Sequence, residues 1–169
     1  VAGVRCLRPA RAAVDVVRRR PLPGAVGVLD AVLRTRLATP ADLAYEVRRA
    51  RGQRGVLVAR QALALSDGRA ESPPESLIRV VLVQAGMRPV PQHEVRDRRG
   101  ALVARVDLAF PEQRLAIEYD GRAVHAGDEA FVRDRQRQNA LVALGWCVLR
   151  FTAGDLRRPE YVVREVLAV

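Results

Sequence analysis

The chain has 169 residues, enough for a domain with a proper core and a small appendage, and its 49% hydrophobic residues never form an apolar run of membrane-spanning length, which excludes a membrane reading. Its formal net charge is +10, and all 29 basic residues are arginine, so nucleic acid is the first partner to consider. Cys6 and Cys147 stand far apart without CxxC or Cys/His spacing, which argues against a zinc site and a disulfide framework and makes a reducing cytoplasm the default compartment.

The first residue is Val, not Met, which suggests a fragment whose own start, and any upstream domain, is missing. Apolar residues at helical spacing occupy 8–20 and 24–36, separated by a run with two prolines and a glycine, which predicts a helical hairpin. Thr39-Pro40-Ala41-Asp42 supplies an N-cap, a proline at the first helical position and an acid in the first turn, so a helix is expected to run to about Arg51. Another is expected over Val56 to Leu65. Residues 1–70 hold 14 arginines against 5 acids, a net of +9, whereas 71–169 hold 15 against 14, a net of +1. The polar connector from Ser66 therefore divides a basic helical region, 1–70, from a second domain, 71–169. Arginine-only usage has two readings, phosphate binding or a GC-rich genome.

The second domain opens on Ser72-Pro73-Pro74-Glu75, a capping-box pattern that predicts a helix to about Ala85. A strand is expected over Val90 to Val95, then a turn at Asp97 to Gly100. Two short strands follow in the stretch from Arg105 to Tyr119, joined by a tight turn at Pro111 to Gln113. A loop over Gly121 to Gly127 leads to a helix from about Asp128 to Leu144, and Trp146 to Phe151 reads as a buried strand. A last helix is expected from Asp155 or Pro159. The predicted order is α-β-β-β-α-β-α, an α/β fold with helices on the faces of a sheet.

The two central strands carry acids that strand propensity disfavours. If Phe110 faces Leu115, the antiparallel register sets Asp107 opposite Glu118, and alternation puts Asp120 on the same face. Like charges opposite each other repel, so three converging carboxylates suggest a hard divalent cation. The alternative is that they form the solvated face of a half-exposed hairpin.

Four stretches together resemble one family: Ser72 to Arg79, Arg105 to Leu108, Ala116 to Gly121 with His125, and Asp134 to Leu141 leading into Gly145-Trp146 and Leu149 to Phe151. They resemble the restriction-endonuclease-like nucleases, nearest to the domain of unknown function 559 group and to the very short patch repair endonuclease. Residues 1–70 resemble the helical region of relatives of type IV abortive-infection antitoxins. The resemblance implies an αβββαβ core after an α-helical N-terminal lobe, with Asp107 and Glu118 as metal-binding acids, and the converging carboxylates add Asp120 as a third ligand of Mg²⁺ or Mn²⁺. It also implies Glu75 in support and His125 as general base or phosphate stabiliser. The family's usual lysine is replaced by Asp120. Arg122, Arg133 and Arg137 are candidates to hold phosphate.

The function expected is a Mg²⁺-dependent DNA endonuclease, with DNA as partner and a homodimer as a candidate assembly. The alternative is a non-cleaving DNA-binding regulator or antitoxin, with a toxin as partner.

Overall fold

Local sequence explains most element boundaries in the computed structural model, which describes residues 6–121 and 128–169, without the side chains of 128–131. Helix α1 spans Pro9–Val17, α2 Leu22–Arg34, α3 Pro40–Arg49 and α4 Val56–Leu65. Proline enters the first turn of α1, α2 and α3, where its missing N–H leaves no intrahelical bond unmade. At α3 the Thr39 hydroxyl accepts from the Asp42 N–H at 3.2 Å, and the Asp42 carboxylate accepts from the Thr39 N–H at 2.9 Å, a complete capping box. Gly55 precedes α4 at φ 78°, and a Cβ there would run into the Arg18 carbonyl. Only glycine fits that approach.

By chain contacts the molecule divides into two compact units, one ending at Val80 and one beginning at Val81. The first is a four-helix core of small side chains, with Ala13, Ala25, Ala59 and Ala62 letting the helices close around fully buried Val14, Val17, Leu29 and Leu43. Each such Leu contributes about 1.5–3 kcal/mol by leaving water. Asp30 on α2 is also buried, and there it pairs with Arg79 at 2.7 Å and accepts the Asp67 N–H at 2.7 Å. Arg79 in turn donates to the Leu65 carbonyl at 2.6 Å, so one ion pair ties α2 to the end of α4.

Helix α5, Pro73–Gln84, runs across the division between the units. The second unit then builds a mixed four-stranded sheet in the order β1-β2-β3-β4, from β1 Val90–Arg96, β2 Leu102–Phe110, β3 Leu115–Tyr119 and β4 Cys147–Phe151. The first three strands are antiparallel neighbours, while β4 runs parallel to β3, a connection that α6, Asp128–Ala143, makes possible. A 3-10 turn at Asp155–Arg157 precedes α7, Pro159–Leu167. Leu141 of α6 is fully buried against Ala109 and Ala116 of the sheet.

One expectation needs correction. The run Trp146 to Phe151 was expected to be a buried strand, yet Cys147 is exposed and only Phe151 is buried. The reason is topological: β4 is the last strand of the sheet, paired on one side only. Among the described residues no helix is long and apolar enough to cross a membrane.

Candidate functional site

The β2–β3 hairpin positions the acids. Its turn is closed by the Arg114 N–H donating to the Pro111 carbonyl at 3.1 Å, with Arg114 in the left-handed region at φ 51°. That turn sets Phe110 opposite Leu115, Ala109 opposite Ala116 and Leu108 opposite Ile117. Just beyond the last of these pairs, the Asp107 Oδ2 accepts the Tyr119 N–H at 2.8 Å, so its side chain reaches the end of β3. The expected pairing of Phe110 with Leu115 is therefore present.

Alternation then decides what Glu118 meets. Ala116 packs beneath Leu141, so Glu118, two residues on, also faces α6. Arg137 lies one helical turn before Leu141 on the same stripe. In the parallel pairing Glu118 stands beside Arg150 of β4, which shares its face. The Glu118 carboxylate, 6% exposed, accepts from Arg137 Nη1 at 2.6 Å and Nη2 at 3.0 Å, and from Arg150 Nε at 3.2 Å. Asp134, one turn before Arg137, accepts from Arg137 at 3.0 Å and pairs with Arg150 at 2.8 Å. Two carboxylates and two guanidiniums thus close a ring.

The ring's electrostatics are one-sided. Burial pushes the Asp134 carboxyl up, but hydrogen bonds and charge from Arg137 and Arg150 outweigh it and hold the group below the usual carboxylate range. Burial likewise works against the Arg137 cation, and Glu118 and Asp134 more than offset it, so the guanidinium is held more tightly protonated than usual.

These groups line a polar cleft of about 210 Å³ at the ends of β3 and β4, bounded by Asp107, Glu118, Tyr119, Asp120, Asp134, Arg137 and Arg150. The three acids expected from sequence all reach it. Among the described residues, four carboxylates and two guanidiniums line it. The donors are hard oxygens, as Mg²⁺ or Mn²⁺ prefers. Among the described residues, however, no three Asp, Glu, His or Cys side chains converge as a ligand set, and Glu118 is held by arginine.

Glu75 has a local role. Its carboxylate accepts from the Ser72 hydroxyl at 2.7 Å and the Glu71 N–H at 2.9 Å, capping α5 within the first unit. Arg133 is exposed on α6. His125 and Arg122 lie outside the described residues. Sequence reasoning assigned no role to Asp134 or Arg150. A signal existed for Arg150, because a lone charge inside an apolar strand requires a partner.

Residues 1–65 match the AbiEi antitoxin C-terminal domain, and residues 75–168 match REase_MTES_1575, a restriction-endonuclease-like domain. Two curated relatives are the uncharacterized proteins MT2308 and Rv2248 of Mycobacterium tuberculosis, strains CDC 1551 / Oshkosh and H37Rv, each 38% identical over 160 residues. The alignments take in 94% of this chain but 58% of each relative, so the chain spans little more than half their length. No solved structure matches. With over half of its residues covered by that match, from the α5 cap through the acid hairpin to α7, the chain belongs to the REase_MTES_1575 family.

Proposed function

We propose that the chain is a divalent-metal-dependent DNA endonuclease that hydrolyses phosphodiester bonds, near to the domain of unknown function 559 group and the very short patch repair endonuclease. The observation that carries this reading is the polar cleft lined by Asp107, Glu118 and Asp120 within a restriction-endonuclease-like domain.

Asp107, Glu118 and Asp120 are the residues that would hold Mg²⁺ or Mn²⁺. When bound, such a cation offsets charge on the phosphate and lowers the pKa of a water. Asp107 is aimed by its bond from the Tyr119 N–H, which leaves the carboxylate little freedom to turn. Arg137 and Arg150 orient Glu118 and add positive charge where a phosphate would enter, and Arg122 and Arg133 remain candidates to hold phosphate in this reading. His125 is the general base or phosphate stabiliser in this reading, since imidazole titrates near neutrality. Glu75 keeps the α5 cap in this reading.

A second reading has its own observation. Residues 1–65 match an antitoxin domain and Glu118 is already neutralised by arginine, a combination that suits a DNA-binding regulator or antitoxin that does not cut. Incubation of the full chain with supercoiled plasmid in Mg²⁺, Mn²⁺ or EDTA separates the two. Nicked or linear product that requires metal and disappears in Asp107→Asn supports the endonuclease. Retarded but intact plasmid under every condition supports the regulator.

A further inference from the structure

The connection between β1 and β2 carries a charge arrangement that the cleft does not use. Asp97 opens this turn, and its Oδ1 accepts the N–H groups of Arg99 at 2.8 Å and Ala101 at 2.9 Å. The Asp97 N–H donates to the Ala101 carbonyl at 2.9 Å, and Gly100, at φ 81°, donates to the Asp97 carbonyl at 3.0 Å. Four hydrogen bonds thus hold five residues in one conformation, and the aspartate's charge is directed onto its own backbone.

The other nearby acid, Glu94, is taken by an ion pair with Arg96, which also donates to the Gly100 carbonyl at 2.9 Å. Both acids of the tip are therefore occupied. Arg98 and Arg99 are exposed, and among the described residues their guanidiniums make no hydrogen bond, ion pair or ring contact. Leu102 is exposed beside them at 54%. On an arginine-rich chain, this is what distinguishes the tip: two adjacent cations stand on a pre-ordered ribbon whose local acids are already engaged.

We propose that the β1–β2 ribbon tip is a second DNA contact, in which Arg98 and Arg99 each hold a backbone phosphate of duplex DNA. Guanidinium geometry suits bidentate phosphate binding, and a two-stranded ribbon is narrow enough to lie along a groove about 12 Å wide. Because the turn is already ordered, binding costs little backbone entropy. From Leu102 to Asp107 is five residues, about 17 Å along the strand at about 3.4 Å per residue. That corresponds to about five base-pair steps of about 3.4 Å each. The ribbon therefore grips the duplex away from the bond to be cut. This proposal rests on the reading of DNA as the substrate, and it adds the element that fixes the duplex's position.

The test uses the full chain and a fluorescent duplex in EDTA, with the dissociation constant measured over a range of salt concentrations. Releasing counterions from two phosphates contributes about 1.8 to the slope of log K against log salt. The double variant Arg98→Gln/Arg99→Gln is expected to lose about that much slope, and Arg98→Lys/Arg99→Lys, which keeps the charge, to retain it. The melting temperature in EDTA should be unchanged in both. A steep wild-type slope that survives in the Gln variant overturns the proposal, as does an equal loss of affinity for a polyglutamate peptide, which would assign the tip to an acidic protein partner. Plasmid cleavage by the same preparations keeps the two readings apart. Cleavage with an unaltered slope sinks the ribbon alone, whereas a reduced slope in a chain that never cleaves sinks the endonuclease and leaves the ribbon standing.

Discussion

Arg137 donates to both carboxylate oxygens of Glu118, at 2.6 and 3.0 Å, from a helix that reaches the strand only through tertiary packing. The acid that sequence singles out as a metal ligand is thus already compensated by a cation of the protein itself. In the endonuclease reading a divalent ion and Arg137 would compete for the same oxygens, and that competition is measurable.

Arg137→Ala should destabilise the metal-free chain by about 1–2 kcal/mol, since it leaves Glu118 with Arg150 alone. The figure is below the roughly 3–5 kcal/mol of a fully buried pair. Arg137 is 33% exposed, and solvent screens part of the interaction. Mn²⁺ should raise the melting temperature of this variant more than that of the wild type, because the ion no longer displaces a guanidinium. Equal increases in the two proteins would contradict the competition.

Asp107→Asn should remove the metal-dependent rise in melting temperature and all cleavage while leaving the melting temperature in EDTA nearly unchanged. The physical reason is that Asn keeps an oxygen to accept the Tyr119 N–H but gives up the charge. A large loss of stability in EDTA would assign Asp107 to the fold instead.

The acid limb of the stability curve should report Asp134. Its carboxyl is depressed in the folded state, so its contribution is present above the unfolded value of about 3.9 and is lost as pH falls through the lower folded value. Urea unfolding of Asp134→Asn should therefore show a weaker fall in stability below about pH 4 than the wild type. Parallel curves would mean that the ring adds no pH-dependent stability.

The helical unit offers an opposite sign. Burial pushes the Asp30 carboxyl up, against hydrogen bonds from Ser76, the Asp67 N–H and Arg79. Its protonated form favours the fold, so this contribution is full below the unfolded value and is lost as pH rises through the folded one. Arg79→Ala removes the main cation and should cost about 3–5 kcal/mol near neutrality, with part recovered on acidification. A cost that does not change between pH 7 and about 4.5 would show that Asp30 does not titrate in that window.

Interactions closed within a few residues were legible in the chain alone. The Thr39–Asp42 capping box and the Ser72–Glu75 hydrogen bond each join residues three apart, so the local sequence holds all the atoms required. The acid hairpin was legible for a related reason. A short turn at Pro111 to Arg114 leaves little choice of register, and a strand's period of two then carries Asp107 to Glu118.

What surrounds those acids could not be read that way. Glu118 meets Arg137 across 19 positions and Arg150 across 32, while Asp30 meets Arg79 across 49. In a chain whose basic residues are all arginine, composition offers 29 equivalent partners and names none of them. The choice was made by the parallel pairing of β3 with β4 and by the stripe of α6 that Leu141 buries against the sheet. Sequence by itself determined where the carboxylates stand, because strand alternation is a local property. Only tertiary structure decided which cations neutralise them, because an ion pair depends on distance in space and not on separation along the chain.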